Sequence, residues 1–317
     1  MANHDTGDGW IRVDLAHART TNLEVDLPEL VQQEIEECEQ ALADARARGN
    51  RMAEGKQLLQ LGRKVFFHGQ FARGLECLQQ AVSLFHDIGD LCGEAQGRTI
   101  LGELPIAIMT DPESARQHLL QAMQIYLELE DYAGVASGYC RLAEIYSISG
   151  QANQARELYL KATFFFRTLG DRGQEANALG RLALIDVELG RVREALACSE
   201  QALAICQEVG DRQREAGNLQ TLAICYARLG QTERAIELDG QALDIYRELG
   251  DQQHEAFVLA GIGTLYLVLR QMDKAIEAAA AAVQILDEIG GPGADEAREG
   301  LAHIRKVVAK KWWQFWL

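Results

Sequence analysis

The sequence predicts an all-α fold, a solenoid of stacked helix pairs, and three observations carry that expectation. A turn signature recurs along the chain, as Ile88-Gly89-Asp90, Leu169-Gly170-Asp171, Val209-Gly210-Asp211 and Leu249-Gly250-Asp251. Midway between these lie Gly69-Gln70, Gly150-Gln151, Gly190-Arg191 and Gly230-Gln231, and from residue 131 onward the period is 40 residues. Between the turns, apolar residues step by three and four, the spacing that puts them on one helical face. Self-similarity at such a period is the signature of a repeat architecture.

One period shows how the parts work. In 211–250, Ala216, Leu219, Leu222, Ala223 and Tyr226 mark a first helix that stops at Leu229-Gly230. Ala235, Ile236, Leu238, Ala242, Leu243 and Ile245 mark a second that runs to Leu249-Gly250. Glycine after a last turn takes the left-handed conformation that ends a helix. The aspartate that follows caps the next helix and complements its dipole. A single pair cannot bury its apolar face, so stacking on neighbours must supply the core.

In chain order, residues 1–27 form a mixed segment with Trp10, Ile11, Val13 and Leu15 as candidate anchors. Pro28 opens a helix expected to run to about Arg48 and to end at Gly49-Asn50, so 28–49 is read as an N-terminal cap. Six units follow over 50–290: 50–89, 90–130, 131–170, 171–210, 211–250 and 251–290. The second unit is degenerate, with Leu104-Pro105 inside its first helix and Thr110-Asp111-Pro112 in place of the glycine turn. Pro105 is expected to kink or shorten that helix, as a local distortion or as a bend that shapes the solenoid. After Gly290-Gly291-Pro292-Gly293, residues 291–317 are read as a capping helix with an aromatic tail.

The residues inside the units resemble the tetratricopeptide repeat. Leu222-Ala223 with Tyr226, and Leu142-Ala143 with Tyr146, match its first-helix pattern of leucine, small residue and aromatic. Ala235 and Ala242, and Ala155 and Ala162, match the two alanines of its second helix. The period is longer than the usual form of about 34 residues and lacks the closing proline, which resembles the repeats of Pins-type adaptors, kinesin light chains and bacterial arrays. The resemblance implies a right-handed superhelix whose concave groove is lined by the first helix of each pair. It also implies binding of a protein or peptide in that groove.

Composition narrows the function further. An apolar fraction of 48% and a charged fraction of 25% belong to a folded chain. The net charge of −16 argues against nucleic acid as a partner, because phosphate neutralisation needs surplus Lys and Arg. The 7 cysteines are scattered without a CxxC pair, which supports neither a zinc site nor a disulfide framework and suits a reducing cytoplasm. No apolar stretch is long enough to span a bilayer and no signal-peptide pattern opens the chain. A cytoplasmic location is expected, with membrane contact only peripheral and through the tail.

No catalytic motif has the context it needs, so no enzyme activity, metal or cofactor is expected. The histidines are dispersed, and Gly261-Ile262-Gly263 lies inside a helix. Glu94, Glu175, Glu215 and Glu255 recur near one position of successive units, where an acid complements a helix N-terminus.

Carrying over the family's concave positions gives Lys56, Leu59, Arg63, Phe66 and Phe67, then Gln96, Thr99 and Glu103, then Ser137, Cys140 and Glu144. Later units give Asn177 and Leu184, then Gln220, Ile224 and Arg228, then Phe257, Ala260, Thr264, Leu267 and Val268. On this pattern both ends of the groove look apolar and the centre mixed. Phe66 and Phe67 fit either ligand contact or packing on the N-terminal helix, and Asn177 fits a peptide's main chain. The Lys and Asn set that clamps chaperone carboxylates in some family members is not reproduced. Leu301, Ile304, Val308, Trp312 and Phe315 step by three and four, as for a helix covering the last unit. The same tail, with Trp312, Trp313, Phe315 and Trp316 beside Lys310 and Lys311, equally suits docking. Three roles stay open: a scaffold or adaptor binding through the groove, a peptide-sensing regulator, and a self-assembling module docking through the tail.

Overall fold

The computed structural model describes residues 29–103, 112–290 and 293–314, and the regular structure of those residues is helical throughout. The expected Trp10, Ile11, Val13 and Leu15 anchors and the Pro105 kink lie outside the described residues. The chain divides into two compact units, residues 1–158 and 159–317.

The first unit contains α1 (Glu29–Ala47), α2 (Arg51–Phe67), α3 (Phe71–Ile88), α4 (Leu91–Glu103), α5 (Pro112–Glu128) and α6 (Tyr132–Ile148). It ends within α7 (Ala152–Leu169). Helix α1 lays Ile35 and Leu42 into the same core as Leu58, Val65 and Phe66 of α2 and Leu78 and Phe85 of α3. Further along, Leu119 and Met123 of α5 meet Val135, Leu142 and Ile145 of α6. The partners α2 and α3 approach closely where Gly62 faces Gly74. A Cβ on Gly74 would sit 2.8 Å from the Gly62 carbonyl oxygen and 2.6 Å from Phe66 Cβ. The three units from 131 to 250 place alanine at these positions, and Ala143, Ala155, Ala183, Ala195, Ala223 and Ala235 are all buried.

The second unit continues α7 and adds α8 (Arg172–Glu188), α9 (Val192–Val209), α10 (Arg212–Arg228) and α11 (Thr232–Leu249). It closes with α12 (Gln252–Val268), α13 (Met272–Ile289) and α14 (Ala294–Gln314). Its largest core joins Leu219 and Leu222 of α10, Leu238 and Tyr246 of α11, Val258 and Ile262 of α12 and Leu286 of α13. Leu301 and Ile304 of α14 cover Ala275 and Ala279 of α13. The fold is an all-α repeat solenoid, each helix pair burying the apolar face that the next leaves open.

The helix ends follow from the turn residues. Gly89, Gly210, Gly250 and Gly290 end their helices with φ of 71°, 74°, 70° and 60°, a region open to glycine at no steric cost. Asp131, Asp171, Asp211 and Asp251 then accept a hydrogen bond from the backbone N–H three residues on. Asn50 caps α2 in the same way. The repeated acids do more than meet a helix dipole. Glu175 is buried and accepts from Arg167 Nε at 2.6 Å on the preceding helix and from Arg172 Nη1 at 2.8 Å on its own. Glu255 accepts from Arg247 at 2.8 Å, and Glu94 takes Arg98 and His86. Burial by itself would raise the Glu94 carboxyl, but the hydrogen bonds from Arg98 and His86 outweigh it and hold it below its usual range.

Candidate functional site

Helix α2 turns one polar stripe outward. Lys56, Gln60, Arg63, Lys64 and Phe67 fall at steps of four, three, one and three, which places them along one face. With Cys38 of α1, Leu59 of α2 and Gln96 and Ile100 of α4, they line an open cleft of about 650 Å³. Leu59 is 7% exposed and forms part of the apolar floor. Phe67 is 56% exposed at the rim, its ring edge-on to Phe66 at 6.0 Å. Lys64 pairs with Glu34 of α1 at 3.0 Å, and that contact raises its ammonium above the ordinary lysine value. Lys56 and Arg63 are exposed and have no ion pair among the described residues.

Lys56, Leu59, Arg63 and Phe67 are therefore brought together, whereas Phe66 is not among them. Phe66 is fully buried and packs edge-on against Phe71 at 5.2 Å, in the core that also holds Ile35 and Leu42. It is a core side chain and not a groove contact. Successive residues on a helix point about 100° apart, so a neighbour of the exposed Phe67 turns inward. With Phe66 in the core, this end keeps Leu59, Phe67 and Ile100 as its apolar lining, beside the exposed cations Lys56 and Arg63. Glu103 accepts from Arg141 Nε at 2.8 Å, and Arg141 reaches Glu144 at 3.2 Å. Burial would lower the Arg141 guanidinium, but Glu103 and Glu144 raise it overall.

In the second unit, Leu184 and Ile224 occupy one repeat position and remain 39% and 42% exposed. Asn177 is half-buried on α8. Gln220 is held by the Tyr246 hydroxyl, which donates to its Oε1 at 2.8 Å. Arg228 donates to the Val187 carbonyl at 2.8 Å, so it ties α10 to α8 before any ligand arrives. The Thr264 hydroxyl donates to the Ala260 carbonyl at 3.1 Å. Leu267 is partly buried against Ala275 and Ala279. Helix α14 carries Trp312 and Trp313, whose side chains, with Phe315 and Trp316, lie outside the described part of the structure.

Repeat logic missed three kinds of residue. Cys38 precedes the units and has no repeat position to be assigned from. Gln60, Lys64 and Ile100 join the cleft only because α1, α2 and α4 converge. Asp239 is buried on α11, 8% exposed, with its carboxyl Oδ2 3.9 Å from where a Cβ on Gly261 would be. Burial alone pushes it up to about 7. Its repeat position, shared with Tyr159, Ser199 and Ala279, is the sequence signal that sets it apart from the exposed acids around it. Among the described residues no helix is long and apolar enough to cross a membrane, and no group of three or more His, Cys, Asp or Glu side chains is arranged to hold a metal.

Tetratricopeptide-repeat profiles match residues 136–163 and 174–248. No curated protein matches the sequence. Among solved structures, a signal-transduction ATPase with numerous domains and a tetratricopeptide-repeat sensor, from Pyrococcus horikoshii, superposes with a TM-score of 0.68 at 18% identity, covering 88% of this chain. The chain spans 44% of that protein's length. Aspartyl phosphate phosphatase F from Bacillus subtilis gives 0.61 at 13% identity over 90% of this chain and 85% of its own. The apo form of RapI gives 0.61 at 14% identity over 81% and 99%. At these identities the likeness is one of fold. With the turn, capping and small-residue pattern of the helix pairs, the two profile matches identify tetratricopeptide repeats between residues 136 and 248.

Proposed function

We propose that the protein is a non-catalytic interaction scaffold whose first helices bind a protein or peptide segment. The observation that carries this reading is the exposed apolar position of the second unit. Leu184 and Ile224 stand one repeat apart, each flanked by polar side chains of its own helix, Asn177 and Gln220. Apolar side chains repeated at one first-helix position offer a bound segment contacts at a regular spacing. Amide side chains beside them suit the main chain of a bound segment. The seven cysteines are free thiols, which fits a reducing, cytoplasmic setting.

The test is capture of a partner by the full chain from its host's extract, with partners identified by mass spectrometry. Leu184→Asp with Ile224→Asp is expected to lose the partner while keeping its helical circular dichroism. Arg228 is unsuited to this test, since its bond to the Val187 carbonyl makes its removal a structural change. Equal recovery of every partner by both proteins would overturn the reading.

A further inference from the structure

We propose that a second copy of this chain docks on the exposed face of α7, the two α7 helices lying antiparallel about a two-fold axis. The proposal goes beyond the scaffold reading and does not depend on it, because Leu184 and Ile224 stand on first helices and α7 is a second helix.

Helix α7 is continuous over Ala152–Leu169. Its exposed face carries Glu157, Leu160, Phe164 and Arg167, at steps of three, four and three. That spacing draws a straight seam along one helix, as in coiled coils. Phe164 is 65% exposed, and Leu160 beside it is exposed as well. No other second helix among the described residues presents two large apolar side chains at these two positions. In α9 they are Glu200 and Ala204, in α11 Gly240 and Asp244, and in α13 Ala280 and Gln284. Helix α3 places Gln79 and Ser83 there, and α5 Leu120 followed by Gln124. The helix pairs therefore pack without an apolar pair at this place, and its presence on α7 answers to something outside the chain.

The seam is complementary to its own reverse, which selects a second copy as the occupant. Leu160 and Phe164 lie two residues either side of position 162, about 3 Å along the axis. Glu157 and Arg167 lie five residues either side, about 7.5 Å. An antiparallel copy centred there sets Leu160 against the second copy's Phe164 and Glu157 against its Arg167. Each contact then occurs twice, as a two-fold interface requires. Apolar pairs fill the middle and opposite charges close both ends, an arrangement that fixes the orientation of paired helices. The Arg167 guanidinium is already positioned, since its Nε donates to Glu175 at 2.6 Å and its Nη2 to Gln201 at 3.4 Å, while its side chain stays more than half exposed. Lys161 flanks the seam, where its stem can cover apolar surface while its ammonium stays in water. One helix pair makes a small interface, at the reversible end below about 1,200 Å². Two joined copies present two sets of first helices, so a partner carrying two segments gains avidity.

Sedimentation equilibrium of the full chain over the micromolar range is the test. The mass is expected to rise with concentration from 35.1 kDa towards twice that value. Phe164→Asp and Leu160→Asp should each weaken association by roughly tenfold or more, with helical circular dichroism unchanged because both side chains are exposed. Glu157→Arg sets like charges together at both ends of the seam and should weaken association by roughly tenfold as well. Glu194→Arg makes the same charge change on an exposed residue of α9, and Leu120→Asp alters the same repeat position of α5; both should leave association intact. A constant 35.1 kDa at every concentration would overturn the proposal. So would association that survives Phe164→Asp, because the contact would then lie elsewhere, the aromatic tail included. Association lost in Phe164→Asp but untouched in Glu157→Arg would overturn the antiparallel arrangement. A chain that stays monomeric, and whose Phe164→Asp variant loses a protein captured from extract, would overturn the second copy as occupant in favour of that protein.

Discussion

Asp239 stands one repeat away from Ser199 and Ala279 and two from Tyr159, all of them buried. Its carboxyl is pushed up from 3.8 to about 7 by burial, and no neighbouring charge offsets that desolvation. A raised carboxyl favours the protonated folded state, so its cost is absent below about pH 4 and grows as pH rises to about 7. Asp239→Asn is expected to match the parent at pH 4 and to gain about 4 kcal/mol at pH 8. Urea titrations at the two pH values measure this, and a constant difference would show the carboxyl is not protonated in the fold. Backbone conformation supplies a second case. Glu130 and Arg270 hold φ of 55° and 61° at turns where other units use glycine. Glu130→Gly relieves a side-chain clash of about 1–2 kcal/mol but loosens the unfolded chain by about 0.4–1 kcal/mol. A net gain of about 0.5–1 kcal/mol in thermal unfolding is expected.

At the scale of the element, each helix start combines a cap and a buried tie. Asp171 receives the Gln174 N–H at 3.0 Å, and Glu175 receives Arg167 and Arg172. Asp171→Ala should cost about 1 kcal/mol. Glu175→Gln keeps the volume but loses two charge-assisted bonds, at a cost of about 1–2 kcal/mol. Because both residues serve the same helix start, the double variant should depart from additivity, which a double-mutant cycle reads directly. Strict additivity would mean that cap and tie act independently. The cap was legible in the sequence, since Asp171 follows Gly170 as Asp211 follows Gly210 and Asp251 follows Gly250. The tie was not, because Arg167 donates from the preceding helix and only packing brings its guanidinium to a carboxyl eight residues on.

Across the whole molecule, stability in a repeat array is a sum of local terms and nearest-neighbour interfaces. The last pair depends on α14, whose Leu301 and Ile304 cover Ala275 and Ala279. Leu301→Asp should speed hydrogen exchange of α13 and α14 by at least tenfold and leave α2 and α3 protected, since those helices draw on a different core. Uniform acceleration along the chain would show a single cooperative unit instead.

Periodicity, turn residues and composition determined the helix pairs, their order and the likeness to the tetratricopeptide repeat, because those depend on local backbone preference and on neighbours a few residues away. Five members of the cleft, Lys56, Leu59, Arg63, Phe67 and Gln96, also followed from repeat position. Only the tertiary structure decided that Phe66 is core, that Arg228 is occupied by a carbonyl, that Asp239 is desolvated and that Lys56 and Arg63 have no ion pair among the described residues. Each of these depends on which side chain another helix delivers to the same place, and a one-dimensional pattern does not encode that.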